Sequence, residues 1–226
     1  MRFTHLMVDL ETLGTAPDAV VLSAGVFRFH PDEKPEELSK RAVSALTPEG
    51  ECYGWEALVA LEGQLEPPGA PEGTLVPRSI DGRTLAWWLR EGGEQVQRQF
   101  FGQPRLSLVE LAAKLLGFVD QHGITSLWSR GTDFDLPILR SLLGQAFAAR
   151  LERLADHTHN RDVRSWVDSR MGSWPDALED LRERTDALRR QLGGKHGALA
   201  DAAAQAFSVA WCNHATSVIK GGGGGA

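Results

Sequence analysis

Phe3-Thr4-His5-Leu6-Met7-Val8-Asp9-Leu10-Glu11 opens the chain with β-branched and large apolar residues, and Gly14 and Pro17 cut the run off. That pattern predicts a buried strand. Side chains two apart on a strand share a face, so Asp9 and Glu11 stand side by side at its end. Two carboxylates held that close raise each other's pKa unless a cation lies between them. A hard divalent ion, Mg²⁺ or Mn²⁺, suits such oxygen ligands. Taken alone, the pair is better explained as a solvent-facing strand end, and further acids are needed before it becomes a site.

Working outward, Ala19 to Phe29 is a second apolar run, ended by His30-Pro31-Asp32, and predicts a hairpin neighbour for the first strand. Arg41 to Thr47 reads as a shorter strand. Pro67, Pro68, Pro71 and Pro77 with Gly63, Gly69 and Gly73 exclude a helix or central strand, so 62–80 is expected to be a surface insertion within one domain. Thr84 is expected to cap a helix carrying Trp87 and Trp88. Ser107 should start another, with Leu108, Leu111, Leu115 and Val119 on one face. Ile124 to Trp128 predicts a short strand, followed by a helix with Leu136, Leu139 and Leu143 and with Pro137 in its first turn. Arg161 to Arg170, Asp176 to Gln191 and Leu199 to about Val218 read as helices, and Gly221 to Gly225 as a flexible tail. Strands at the front, then helices with one further strand, indicate an α/β or α+β sandwich spanning residues 1–220 as one domain.

The 226 residues carry 24 Lys+Arg and 30 Asp+Glu, a formal charge of −6, which argues against electrostatic coating of nucleic acid. Cys52 and Cys212 rule out a disulfide framework and have no CxxC partner, so a reducing, cytoplasmic setting is expected. The apolar stretches fall short of the roughly 20 residues that span a bilayer. Asp9 and Glu11 interrupt the position a signal peptide needs, so neither membrane association nor export is expected. His157, His159 and His214 lack fixed ligand spacing and are read as structural rather than as a zinc site.

Two more constellations join the first. Asp133-Phe134-Asp135 opens the helix after the Trp128 strand; Asp133 is assigned as its cap and Asp135 as the functional acid. His196-Gly197-Ala198-Leu199-Ala200-Asp201 sets an imidazole on a loop with an acid one turn into the next helix. An imidazole titrates near working pH and suits the role of general base.

In order and spacing these three stretches resemble the motifs of the DEDDh 3′→5′ exonucleases, the DnaQ-like or RNase T-like branch of the ribonuclease H-like superfamily. Thr84-Leu85-Ala86-Trp87-Trp88, Trp128-Ser129-Arg130-Gly131 and Asn160-Arg161-Asp162-Val163-Arg164 are most similar to the phage DexA-type exonucleases and related bacterial exoribonucleases. The resemblance, from Asp9 to about Ala206, implies a mixed β-sheet flanked by α-helices. It also implies two divalent ions, Mg²⁺ or Mn²⁺, held by Asp9, Glu11, Asp135 and Asp201, with Asp9 bridging them and His196 taking the proton of the attacking water. The implied activity removes 5′-mononucleotides from 3′ ends of single strands or overhangs, with DNA slightly favoured over RNA. Thr12, Leu13, Trp88, Arg130, Phe134 and Arg164 are the expected substrate contacts, in a bacterial or phage-infected cell, with a homodimer as in many relatives. A non-catalytic binding module on the same fold predicts erosion of an acid or the histidine, and none is missing. A phosphotransferase reading calls for a P-loop, and no such motif is present.

Overall fold

The structure, a computed structural model, describes residues 2–61, 64–65, 78–142 and 160–222. Most of the Pro/Gly-rich stretch, Leu143, His157, His159 and the end of the glycine run lie outside the described residues.

The opening run is β1 (His5–Thr12), and it pairs antiparallel with β2 (Val21–Phe29), as the two apolar runs predict. β3 (Gly54–Val59) adds antiparallel to β2, and β4 (Arg105–Leu106) adds parallel to β3. On the other side β5 (Ser126–Ser129) runs parallel to β1, and β6 (Asn160–Asp162) parallel to β5. The sheet order is therefore β4-β3-β2-β1-β5-β6, mixed in sense.

Helices cover both faces. Leu6, Val8 and Leu10 point to α4 (Leu108–His122) and to α5, described over 135–142, where Leu111, Leu115, Ile138 and Leu142 complete one core. Met7 points the other way, with Asp9 and Glu11. There Phe27 and Phe29 pack with α1 (Pro35–Ser44), α6 (Val163–Met171), α7 (Pro175–Gln191) and α8 (Ala198–Gly222). α2 (Gly82–Glu91) and α3 (Glu94–Phe101) close the end of the sheet, with Trp88 among Leu13, Val20 and Leu22.

Close approach of α8 to the sheet depends on small residues. Ala202, Ala203, Ala206 and Ala210 on its inner side are fully buried. Gly25, which pairs with Asp9, has no room for a side chain: a Cβ there would lie 2.1 Å from the Ala198 carbonyl carbon. The first turn of α8 is thereby pressed against the strand that carries the acids.

Four local expectations need correction. Arg41 to Thr47 is not a strand; Pro35 and the acidic Glu36 and Glu37 start α1 instead, and Leu38, Ala42 and Ala45 recur at helical spacing as its buried face. Asp81, not Thr84, caps α2 by accepting from the Thr84 amide at 2.8 Å. Residues 160–162 form β6 before the helix begins, and Asp162 caps α6 through the Arg164 and Ser165 amides. The last helix runs through Gly222, into the stretch expected to be a tail. Ser107 does start α4, in a full capping box with Glu110.

Candidate active site

Three separate elements deliver the acids to one place. β1 presents Asp9 and Glu11 on the α8 side, and a register shift between Glu11 and Thr12 ends the strand there. Asp135 opens α5 and is 3% exposed, whereas Asp133 two residues earlier stands in solvent. The Leu10 amide donates to Asp135 Oδ1 at 3.1 Å, which ties the start of α5 to the acidic strand.

The loop before α8 holds His196 in a left-handed backbone conformation, φ 64°, after two glycines that are also at positive φ. Its amide donates to Asp201 Oδ2 at 3.0 Å, so the histidine and the acid are fixed as one unit. Ligand atoms of Glu11, His196 and Asp201 lie within 4.8 Å of one another. Trp87 packs edge-on against the imidazole, with ring centroids 4.8 Å apart.

Asp9, Glu11, Asp135, His196 and Asp201 together line a cleft of about 450 Å³. Its electrostatics are those of crowded carboxylates. Burial, then Asp135, Glu11 and Asp201, push the Asp9 carboxyl well above its usual range. Burial, Asp201 and Glu56 raise Glu11 to about 9, and burial raises Asp135 to about 7. Burial lowers the His196 pKa, so the imidazole is favoured in its neutral form. Arg189 of α7 reaches into the cluster, with Nε 2.5 Å from Asp201 Oδ1. Hard oxygen donors, mutually repelling and short of positive charge, fit divalent cations, and Asp9, Glu11, Asp135 and Asp201 are the residues that would hold them.

Of the expected substrate contacts, Arg130, Phe134 and Arg164 line the cleft. The other three, Thr12, Leu13 and Trp88, are not in its lining. Thr12 and Leu13 are buried, with the Thr12 hydroxyl donating to the Gly14 carbonyl at 2.7 Å. Trp88 is 1% exposed and donates its indole N–H to the Thr12 carbonyl at 3.0 Å, leaving Trp87 as the tryptophan beside the site. The sequence reading missed Gln205, whose amide donates to Asp9 Oδ1 at 2.6 Å; its position four residues after Asp201 on one helix face was the available signal. It also missed Glu56, which pairs with Gly25 across the sheet and accepts from the Leu199 amide at 3.3 Å, and Arg189.

The fold is similar to that of the RNase domain of the yeast Pop2 protein, with a TM-score of 0.50 and 11% identity over 96% of this chain and 79% of that one. No curated protein matches the sequence. The sequence profile of the "3′-5′ exoribonuclease Rv2179c-like domain" matches residues 4–212, which takes in every acid of the cleft together with His196. The chain belongs to the Rv2179c-like 3′-5′ exoribonuclease domain family.

Proposed function

We propose that the protein is a divalent-metal-dependent exonuclease that removes nucleoside 5′-monophosphates from the 3′ ends of single-stranded RNA. The observation that carries this reading is the convergence of four carboxylates, from β1, α5 and α8, beside a neutral imidazole. The family description supports RNA, which here replaces the slight lean to DNA of the sequence reading.

Two bound divalent ions would supply water activation and charge neutralisation at the phosphorus and the leaving oxygen. The chain's own residues do the rest. His196, neutral and braced by Trp87, presents an imidazole nitrogen that takes the proton of the attacking water. Glu11 and Asp201 flank that nitrogen and stabilise the imidazolium once it forms. Gln205 and the Leu10 amide hold Asp9 and Asp135 in fixed orientations. Arg130 and Arg164 at the rim meet phosphates, and Phe134 offers a ring face to the terminal base.

The test incubates the protein with Mg²⁺ or Mn²⁺ and 5′-labelled RNA and DNA oligonucleotides, beside Asp9→Ala and His196→Ala. The expected result is stepwise shortening from the 3′ end, faster on RNA and lost in both variants. Undiminished cutting by Asp9→Ala refutes the site.

A further inference from the structure

The four acids of the cleft are not equally provided for. Asp9 accepts from Gln205, Asp135 from the Leu10 amide, and Asp201 from Arg189 and the His196 amide. Glu11 is 9% exposed, lines the cleft and, among the described residues, has no hydrogen-bond or ion-pair partner. A carboxylate so placed is costly to hold ionised, and a cation that reaches it meets charge that nothing else neutralises.

What stands beside Glu11 decides which cation. Ligand atoms of Glu11, His196 and Asp201 lie within 4.8 Å of one another, the one such set of three among the described residues, and neither Asp9 nor Asp135 belongs to it. An ion at the centre of such a triangle is about 2.8 Å or less from each atom, so small side-chain rotations bring all three to zinc bonds of about 2.0–2.2 Å.

The imidazole is held in place for this. The His196 amide donates to Asp201 Oδ2 at 3.0 Å, its carbonyl accepts from Gln99 at 3.3 Å, and the Trp87 and Trp88 rings lie 4.8 and 5.9 Å from its own. Each Asp201 oxygen already accepts one hydrogen bond, yet a carboxylate oxygen has a second lone pair to offer a metal. Arg189 has Asp186 at 3.2 Å as well, so it keeps a partner when Asp201 turns to an ion.

Metal ions differ in what they ask of such a set. Mg²⁺ takes oxygen donors, keeps several of its waters and does not favour imidazole. Zn²⁺ takes imidazole nitrogen together with carboxylate oxygen, and it is stable on three protein ligands with a fourth position open. It also stands above Mn²⁺ in affinity for nitrogen and oxygen donors. One nitrogen and two oxygens therefore favour Zn²⁺ over the ions expected to support catalysis. An imidazole nitrogen that has given its lone pair to a metal has none left to receive a proton.

We propose that Glu11, His196 and Asp201 form an inhibitory Zn²⁺ site, in which the imidazole is a ligand and no longer a base. The binding stands on the three side chains alone; the inhibition rests on the exonuclease reading above and adds to it a regulation by metal identity.

The test titrates the metal-free protein with Zn²⁺ and, separately, with Mg²⁺. It follows the heat of binding and the ring-nitrogen resonances of isotope-labelled histidine, with His196 assigned from the His196→Ala spectrum. One Zn²⁺ should bind and shift a ring nitrogen of His196, while Mg²⁺ leaves that resonance in place. His196→Ala should weaken Zn²⁺ binding by more than about 100-fold, the upper end of what losing even an outer-shell partner costs, and keep Mg²⁺ binding close to wild type. Asp9→Ala removes an acid outside the set, so Zn²⁺ should still shift the same nitrogen. Zn²⁺ bound without a change at His196, or a shift that Asp9→Ala abolishes, overturns the assignment. With the site filled by Zn²⁺, shortening of RNA in excess Mg²⁺ should stop; undiminished cutting while the ring nitrogen is shifted overturns the inhibitory role. If no metal supports cutting, the exonuclease reading falls, and the ring resonance still decides the site.

Discussion

Arg189 Nε lies 2.5 Å from Asp201 Oδ1, with the two side chains only 12% and 16% exposed, so a guanidinium from α7 partly neutralises a carboxylate of the acidic cleft. Asp186 holds the same arginine at 3.2 Å. Arg189 thus offsets in part the repulsion among the acids and competes with a metal ion for Asp201. Arg189→Leu should destabilise the metal-free protein by about 2–4 kcal/mol, as expected when one partner of a largely buried pair is removed. Added Mg²⁺ or Mn²⁺ should raise the melting temperature of this variant more than that of wild type, because the vacated carboxylate binds the ion more tightly. Thermal unfolding in EDTA and across a Mn²⁺ titration checks both signs.

The raised carboxyl groups make stability depend on pH in a definite direction. Burial and neighbouring acids lift Glu11 to about 9 and Asp135 to about 7, with Asp9 also well above its usual range. The folded state therefore holds protons that the unfolded chain releases near pH 4. The stability these groups contribute is fully present below about pH 4 and is lost as pH rises through 7 towards 9. In EDTA the melting temperature should fall from pH 5 to pH 9. Saturating Mg²⁺ should flatten or reverse that slope, since the ions bind the ionised acids. A metal-free melting temperature that climbs through this range contradicts the crowding of these carboxylates.

Trp87 and Trp88 should separate cleanly on mutation. Trp88 fills a buried cluster with Leu13, Val20 and Leu22 and hydrogen-bonds the Thr12 carbonyl, so Trp88→Ala should cost about 3–5 kcal/mol of stability. Trp87 is partly exposed and touches the His196 ring. Trp87→Ala should shift the melting temperature by only a few degrees while lowering kcat, since the imidazole loses a wall that fixes its orientation. Denaturant curves beside steady-state kinetics distinguish the two.

Much of this arrangement could be read from the chain. The strand reading of 3–11 placed Asp9 and Glu11 on one face, and the Ser107 cap and the apolar spacing of α4 located that helix. The features that escaped were non-local. β3 pairs with β2 and brings Glu56 level with Gly25 and Asp9, but its sequence, Gly54-Trp55-Glu56-Ala57-Leu58-Val59, has no strong turn signals around it. Trp88 and Leu13 lie inside because the Thr12–Gly14 turn buries the residues just after β1, a fact set by α2 rather than by the motif itself. Arg189 sat within a run of alternating charges, where a solvated helix face is the ordinary reading; only the packing of α7 against α8 turns it inward.

Gly25 is where the sheet admits α8, and it offers a sharp test of how the site is assembled. A methyl group there meets the backbone of Ala198 and Leu199 at 2.1–2.3 Å, and backbone cannot swing aside as a flexible side chain does. Gly25→Ala should therefore push the first turn of α8 off the sheet, carrying His196 and Asp201 away from Asp9 and Glu11. Calorimetric Mn²⁺ affinity should drop at least tenfold along with activity, while the far-ultraviolet circular dichroism keeps its helical content.

Glu56 secures the same helix from the neighbouring strand. Its Oε2 accepts from the Leu199 amide at 3.3 Å and from Arg98 at 3.0 Å, and its Oε1 accepts from Gln99 at 3.4 Å. Gln99 in turn donates to the His196 carbonyl at 3.3 Å. A buried acid at the N-terminal end of α8 complements the unpaired amides there, and through Gln99 it holds the histidine loop. The same carboxylate also raises Glu11, so removing it has two opposed effects. Glu56→Ala should loosen residues 193–197, seen as faster amide hydrogen exchange in that loop, and should lower kcat several-fold. At the same time it should ease ionisation of Glu11, so the acid limb of the pH–rate profile moves to lower pH. Glu56→Gln keeps an acceptor for Leu199 and drops the charge; it should retain most of the loop protection yet show the same acid-limb shift. If Glu56→Gln loses the loop protection as fully as Glu56→Ala does, the charge of Glu56 rather than its hydrogen bond from Leu199 anchors α8.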